Sequence, residues 1–151
     1  MHCWTLILHL LRMFETFQTK NGLQHLYDEK RPTARKVIHL LKGEPTNDAE
    51  RSCFDHLKRY IRSLPCNLLH IFLQFLTGSD MIAVEHIQIS FNQLDGLSRR
   101  PVARTCVPLL ELPSTYQSYN ELAEEFGNLL PTVVHNFLTG KGLNWKLRTD
   151  S

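Results

Sequence analysis

Paired cysteine motifs are missing from this chain. Its 4 cysteines, Cys3, Cys53, Cys66 and Cys106, stand far apart, with no CxxC pair and no His-x3–5-His nearby. That argues against a zinc site, and the spacing is too sparse for a disulfide scaffold. Free thiols imply a reducing compartment, so a cytoplasmic or nuclear location is expected, with no metal and no cofactor. An excess of one charge is also missing. Lys and Arg total 17 against 15 Asp and Glu, a formal net charge of +2, and the basic residues are scattered. No nucleic-acid partner is expected on that balance. Nor is there a long hydrophobic run. The apolar stretch Trp4 to Leu11 falls far short of the roughly 20 residues that span a bilayer. No Lys or Arg precedes it, His9 interrupts it and no small-residue cleavage site follows. It reads as an amphipathic helix rather than a targeting segment, with no membrane partner. Thr77-Gly78-Ser79 has one glycine and no lysine, which excludes a phosphate loop. Internal repeats and low-complexity segments are absent.

What is present suits an ordinary globular domain. Hydrophobic residues make up 42% of the 151 and charged residues 21%, enough for one domain with a core and an extension. Trp4, Ile7, Leu8, Leu11 and Phe14 recur at helical spacing, in a helix expected to end before Asn21-Gly22. Tyr27 to Pro32 is polar and reads as a linker. Val37, Ile38, Leu40 and Leu41 suggest a short helix stopped by Gly43 and Pro45. Asn47 and Glu50 form a capping box that opens the next helix. Its buried stripe is Phe54, Leu57, Ile61 and Leu64, and Asp55 faces Arg59 on the wet side. Pro65 breaks that run. Leu68, Leu69, Phe72, Leu73, Phe75 and Leu76 then cover most sides of a helix expected to be central, with Gly78 as its cap.

Beyond Gly78 the period changes to two. Ile87, Ile89 and Phe91 alternate with Gln88, Ser90 and Asn92, the pattern of a half-buried strand, and Asp95-Gly96 signals a turn. Val102 to Cys106 and Leu109 to Leu112 read as two short strands. Ser118 and Glu121 open a last helix that should bury Tyr119, Leu122, Phe126 and Leu129, with Pro131 ending it or starting a further turn. The fold class expected is α+β, with helices first, then a small sheet and a closing helix.

Cys106 stands out because a thiol between two strands is exposed yet held by rigid neighbours. A lone cysteine is more often a small buried hydrophobe, so both readings stay open. Arg104 lies two residues away, and its cation either favours the thiolate or is ordinary solvated charge. A protease dyad with His86 or His135 is a further alternative, although neither sits in a protease signature.

Several segments, taken in order, resemble the C-terminal lobe of HECT ubiquitin ligases. Leu73 to Ser79, Ile87 to Phe91, Thr105-Cys106, Leu110-Glu111-Leu112-Pro113, Tyr116 and Ser118 to Leu122 follow one another as in that family. The departures are Arg104 where the family commonly has His, Val107-Pro108 where it often has Phe-Asn, Thr115 as an added residue, and a short segment after Ser79. The resemblance implies a HECT-type ubiquitin-protein transferase whose Cys106 carries ubiquitin as a thioester. Thr105 would shape the turn, and Glu111 would either orient a substrate lysine or be a satisfied surface carboxylate; Arg104, a departure from the family, keeps the two readings given above. The implied partners are ubiquitin, a charged ubiquitin-conjugating enzyme and a protein substrate. The alternative is a weak or inactive ubiquitin- or protein-binding module built on the same fold. Residues 1–31 are expected to be an unassigned helical leader and linker, 32–138 the C-lobe-like domain and 139–151 a tail. The lobe that docks the conjugating enzyme is expected to be missing, as in a truncated or degenerate copy.

Overall fold

Short polar residues set the helix starts. In the computed structural model, which describes residues 20–138, Thr33 and Asn47 sit in extended backbone and their side chains accept the N–H groups of Lys36 and Glu50. They cap α2 (Ala34–Leu40) and α3 (Asp48–Ser63). The expected reciprocal box is shifted by one residue: the Glu50 carboxylate accepts the backbone N–H of Thr46 at 2.7 Å and its hydroxyl at 2.9 Å. These bonds, the backbone one foremost, hold the Glu50 carboxyl below the usual carboxylate range. Gly78 ends α4 (Cys66–Thr77) in the left-handed region at φ 79°, donating its N–H to Gln74 O at 2.8 Å.

The chain divides into two compact units, Met1–Arg31 and Pro32–Ser151. In the first, α1 (Lys20–Lys30) runs through Asn21-Gly22 and Tyr27. The expected stop and linker are therefore corrected: a Gln24 Nε2 to Asp28 Oδ1 bond of 3.1 Å spans one turn there. The helix expected from Trp4 to Phe14 lies outside the described residues, as does the 139–151 tail. No described helix is long and apolar enough to cross a membrane.

The second unit carries a 4-stranded sheet in the order β1-β2-β4-β3. β1 (Leu41–Lys42) and β4 (Leu109–Pro113) run parallel to β2 (Ile87–Asn92), and β3 (Val102–Arg104) pairs antiparallel with β4. Leu41 is thus a strand residue rather than a helix residue, because its backbone pairs with Ile87. Gly43 is not the helix stop. A Cβ there would meet Ile89 Cβ at 3.0 Å, so the glycine allows the chain to pass close over β2.

Burial alternates along the strands, as a one-sided sheet requires. Ile87, Ile89, Leu110 and Leu112 are buried, whereas Gln88 and Ser90 face solvent. The helices cover the buried side. Tyr60 of α3 stacks on Phe126 of α5 (Tyr119–Leu138) at 5.2 Å, and Phe72 and Phe75 of α4 meet the same ring edge-on. Leu69, Phe72, Leu73, Phe75 and Leu76 are all buried, so α4 is as central as its sequence implies. Leu122, Phe126 and Leu130 face inward from α5, while Tyr119 and Leu129 are only half-buried. Pro131 does not end α5, which continues through it to Leu138. Proline removes the bond to the carbonyl four residues back, and Gly127 there is exposed, so water can take its place. The expected Asp55–Arg59 pair is also absent. Asp55 pairs with Lys58 at 3.5 Å, and the Arg59 guanidinium lies 4.2 Å from the Tyr119 ring centroid.

Candidate functional site

β3 and β4 form a hairpin whose turn, residues 105–108, contains Cys106. β3 stops at Arg104, so Thr105 and Cys106 belong to the turn rather than to the expected longer strand. Both ends of the turn are anchored. Pro108 O accepts the N–H of Gln88 at 2.8 Å, which ties the turn to β2. Thr105 faces Gly78 at the end of α4: a Cβ on that glycine would lie 3.6 Å from Thr105 Cβ. Between these anchors Cys106 and Val107 are exposed, Val107 by 67%. Among the described residues the Cys106 thiol makes no hydrogen bond, to His86, His135 or any other group.

Strand alternation separates the flanking side chains. Val102 and Arg104 point to the wet face of the hairpin and Ala103 toward the helices, while Thr105, in the turn, lies by the α4 end. Arg104 pairs with Leu109 across the ladder, which puts Glu111 diagonal to it on the wet face. The two meet, with Arg104 Nε 2.6 Å from a Glu111 carboxylate oxygen. This bears on two sequence expectations at once. The Arg104 cation is paired rather than left to act on Cys106 alone, and Glu111 already holds a partner before any lysine arrives. The pair is 58% and 29% exposed, so it is worth at most about 1 kcal/mol and can be exchanged.

The remaining thiols differ in character. Cys53 is fully buried on α3, donates to Pro113 O at 3.1 Å, and burial pushes its pKa up to about 12. It stays a protonated, inert thiol near neutral pH. Cys66 is exposed at the first position of α4, a second accessible thiol that no sequence pattern marks. Cys3 lies outside the described residues. The Arg104–Glu111 contact was detectable in principle, since an Arg104–Leu109 register dictates it, but only once the turn length is known.

The segments that carried the resemblance converge here. Leu73–Ser79 closes α4 under the hairpin, Ile87–Phe91 lies in β2, and Leu110–Pro113 lies in β4. Tyr116 is buried, with the Arg99 guanidinium 4.8 Å from its ring centroid. Arg99 in turn binds Glu121 at 2.9 Å, and Glu121 N–H bonds to the Ser118 hydroxyl, so β4, the loop before β3 and the start of α5 are locked together. The exposed thiol at this hairpin tip is open to approach by a large partner. The family model described as HECT-domain (ubiquitin-transferase) matches residues 15–128. The chain belongs to the HECT-domain family, and the match covers about three quarters of its length. It begins within the leader that sequence reading left unassigned. No curated protein matches the chain.

Proposed function

We propose that this chain is a HECT-type ubiquitin-protein transferase lobe with Cys106 as the acceptor thiol. The observation that carries this reading is the exposed Cys106 thiol at a turn anchored on both sides, in a chain of this family. The Cys106 thiolate attacks the thioester carbonyl joining ubiquitin to its conjugating enzyme. A new carbon–sulfur bond forms as the old one breaks, and the conjugating enzyme leaves as a thiolate. A substrate lysine amine then attacks the Cys106 thioester. The isopeptide bond forms, the amine proton passes to solvent or a nearby carboxylate, and the Cys106 thiolate departs. Little acid–base help is needed, because a thiolate is both a good nucleophile and a good leaving group. Glu111 assists by exchanging Arg104 for the incoming lysine and accepting the proton its ammonium loses before the neutral amine attacks. The compartment proposed is the cytoplasm or nucleus, where free thiols persist.

The Arg104–Glu111 pair also favours a second reading. With the Arg104 cation paired to Glu111, the fold would serve as a weak or inactive module that binds ubiquitin or another protein. A charging assay decides between them. Incubated with a charged conjugating enzyme, the protein should form a ubiquitin adduct that thiols remove. Cys106→Ala should abolish it, and Cys106→Ser should give no adduct or a thiol-resistant ester. Cys66→Ser, at the other exposed thiol, should leave it intact. A thiol-sensitive adduct that persists in Cys106→Ala and disappears in Cys66→Ser would move the site. No adduct in the unaltered protein would favour the binding module.

A further inference from the structure

We infer that Gly78 and Thr105 are positioning residues for the Cys106 turn, and that Thr105 acts through its methyl-bearing Cβ rather than its hydroxyl; for transfer itself, this rests on the reading of Cys106 above. Three observations lead to it. First, the Thr105 hydroxyl makes no hydrogen bond among the described residues, and the side chain is only half-buried. Second, the space over Gly78 is occupied by Thr105 alone. Beyond the glycine's chain neighbours, the heavy atoms within 4 Å of a Cβ built there are Thr105 Cβ at 3.6 Å and Cγ2 at 3.9 Å. Third, Gly78 cannot readily move out of the way. Its φ of 79° is fixed by the α4 cap bond to Gln74, and Thr77 Oγ1, bonded to Leu73 O at 2.9 Å, accepts the Ser79 N–H at 3.2 Å just beyond.

The chain of cause is short. α4 is buried and rigid, so its left-handed end is a fixed point. β3 is only three residues long and lies at the edge of the sheet, bonded to β4 alone. By itself such a strand would let the turn fray. The turn that follows β3 brings Thr105 to the α4 end and leaves Cys106 exposed. A β-branched side chain has few χ1 states, so Thr105 resting over Gly78 fixes the backbone one residue before the thiol. The Pro108–Gln88 bond fixes it two residues after.

The test compares two small substitutions in the full chain. Thr105→Val keeps the branch and discards the hydroxyl. Thr105→Ser keeps the hydroxyl and discards the methyl. Amide hydrogen exchange at Cys106 and Val107 reports the turn without reference to ubiquitin, and the charging rate reports transfer. Thr105→Val should match the unaltered protein in both. Thr105→Ser should exchange faster at the tip and charge roughly tenfold more slowly, since small misplacements of a reacting group cost factors of this order or more. Gly78→Ala, strained at positive φ, should behave like Thr105→Ser. If it fails to fold, the Thr105 pair decides. The inference is overturned if Thr105→Val is as impaired as Thr105→Ser, which would make the hydroxyl the active group. It is equally overturned if Thr105→Ser exchanges and charges normally. If the exchange ranking holds while no protein charges, the positioning role stands and the thioester reading fails.

Discussion

Among the described residues are two exposed thiols and one buried thiol, and their surroundings separate them. Cys53 is held protonated by burial and by its bond to Pro113 O. Cys106 is exposed beside an arginine whose charge is cancelled by Glu111 at 2.6 Å. Removing the Glu111 charge should therefore free the Arg104 cation to act on the thiolate. In Glu111→Gln, alkylation of Cys106 at pH 7 should rise by roughly two- to threefold, the modest size expected of a solvent-screened charge. The gain should disappear at about 1 M salt, where charges are screened within about 3 Å. Arg104→Gln on top of Glu111→Gln should return the rate to its starting value. Peptide mapping of the alkylated protein checks this: Cys53 stays unlabelled until the protein is denatured. An unchanged Cys106 rate in Glu111→Gln would mean that the Arg104 field does not reach the sulfur.

At the level of elements, helices α2 to α5 were legible because their information is local, whereas the sequence of α1 reads as a stop and a linker. The stripe Phe54, Leu57 and Ile61, the cap Asn47 and the cap Gly78 all act within a turn or two of their own helix. The period-two run at Ile87–Phe91 announced β2 for the same reason. β1 was illegible because two residues carry no period, and only pairing with Ile87, far along the chain, makes Leu41 a strand residue. The candidate site divided along the same line. The place of Cys106 between two strands was readable, whereas the end of β3 at Arg104 and the Arg104–Glu111 contact depend on hairpin register and the exposure of Cys66 on how α4 begins. Gly43 offers an element-level test. An alanine methyl there would sit 3.0 Å from Ile89 Cβ and 3.5 Å from Phe54 Cζ, both on buried, fixed elements. Gly43→Ala should destabilise the protein by about 1–3 kcal/mol, the usual range for overpacking, as read from the midpoint of urea unfolding. A midpoint equal to or above that of the unaltered protein would show that β1 can shift away from β2 without loss.

At the level of the whole molecule, the question is how two sulfurs meet. Holding reacting groups together can be worth about 7–11 kcal/mol of barrier. The family resemblance implies that this work is done by a separate preceding lobe, which holds the conjugating enzyme while a hinge delivers the cysteine. If the conjugating enzyme docks outside residues 1–151, the unit Pro32–Ser151 taken alone leaves that encounter to diffusion. Charging of the 151-residue chain should therefore be slow and first order in conjugating enzyme, without saturation, and substrate ubiquitination should be scant. Fusing a HECT N-terminal lobe just ahead of Thr33, beside the boundary between the two units, should raise the rate by orders of magnitude at equal concentration. Cys106→Ala in the fusion should remove the gain, which separates delivery of this thiol from any activity of the added lobe. The 1–31 segment supplies the control, because the family match begins inside it at residue 15. If deleting residues 1–31 leaves the slow rate unchanged, that segment takes no part in docking. If the unfused chain charges as fast as the fusion, or saturates at low conjugating-enzyme concentration, then diffusion is not limiting. The docking surface must in that case lie within these 151 residues.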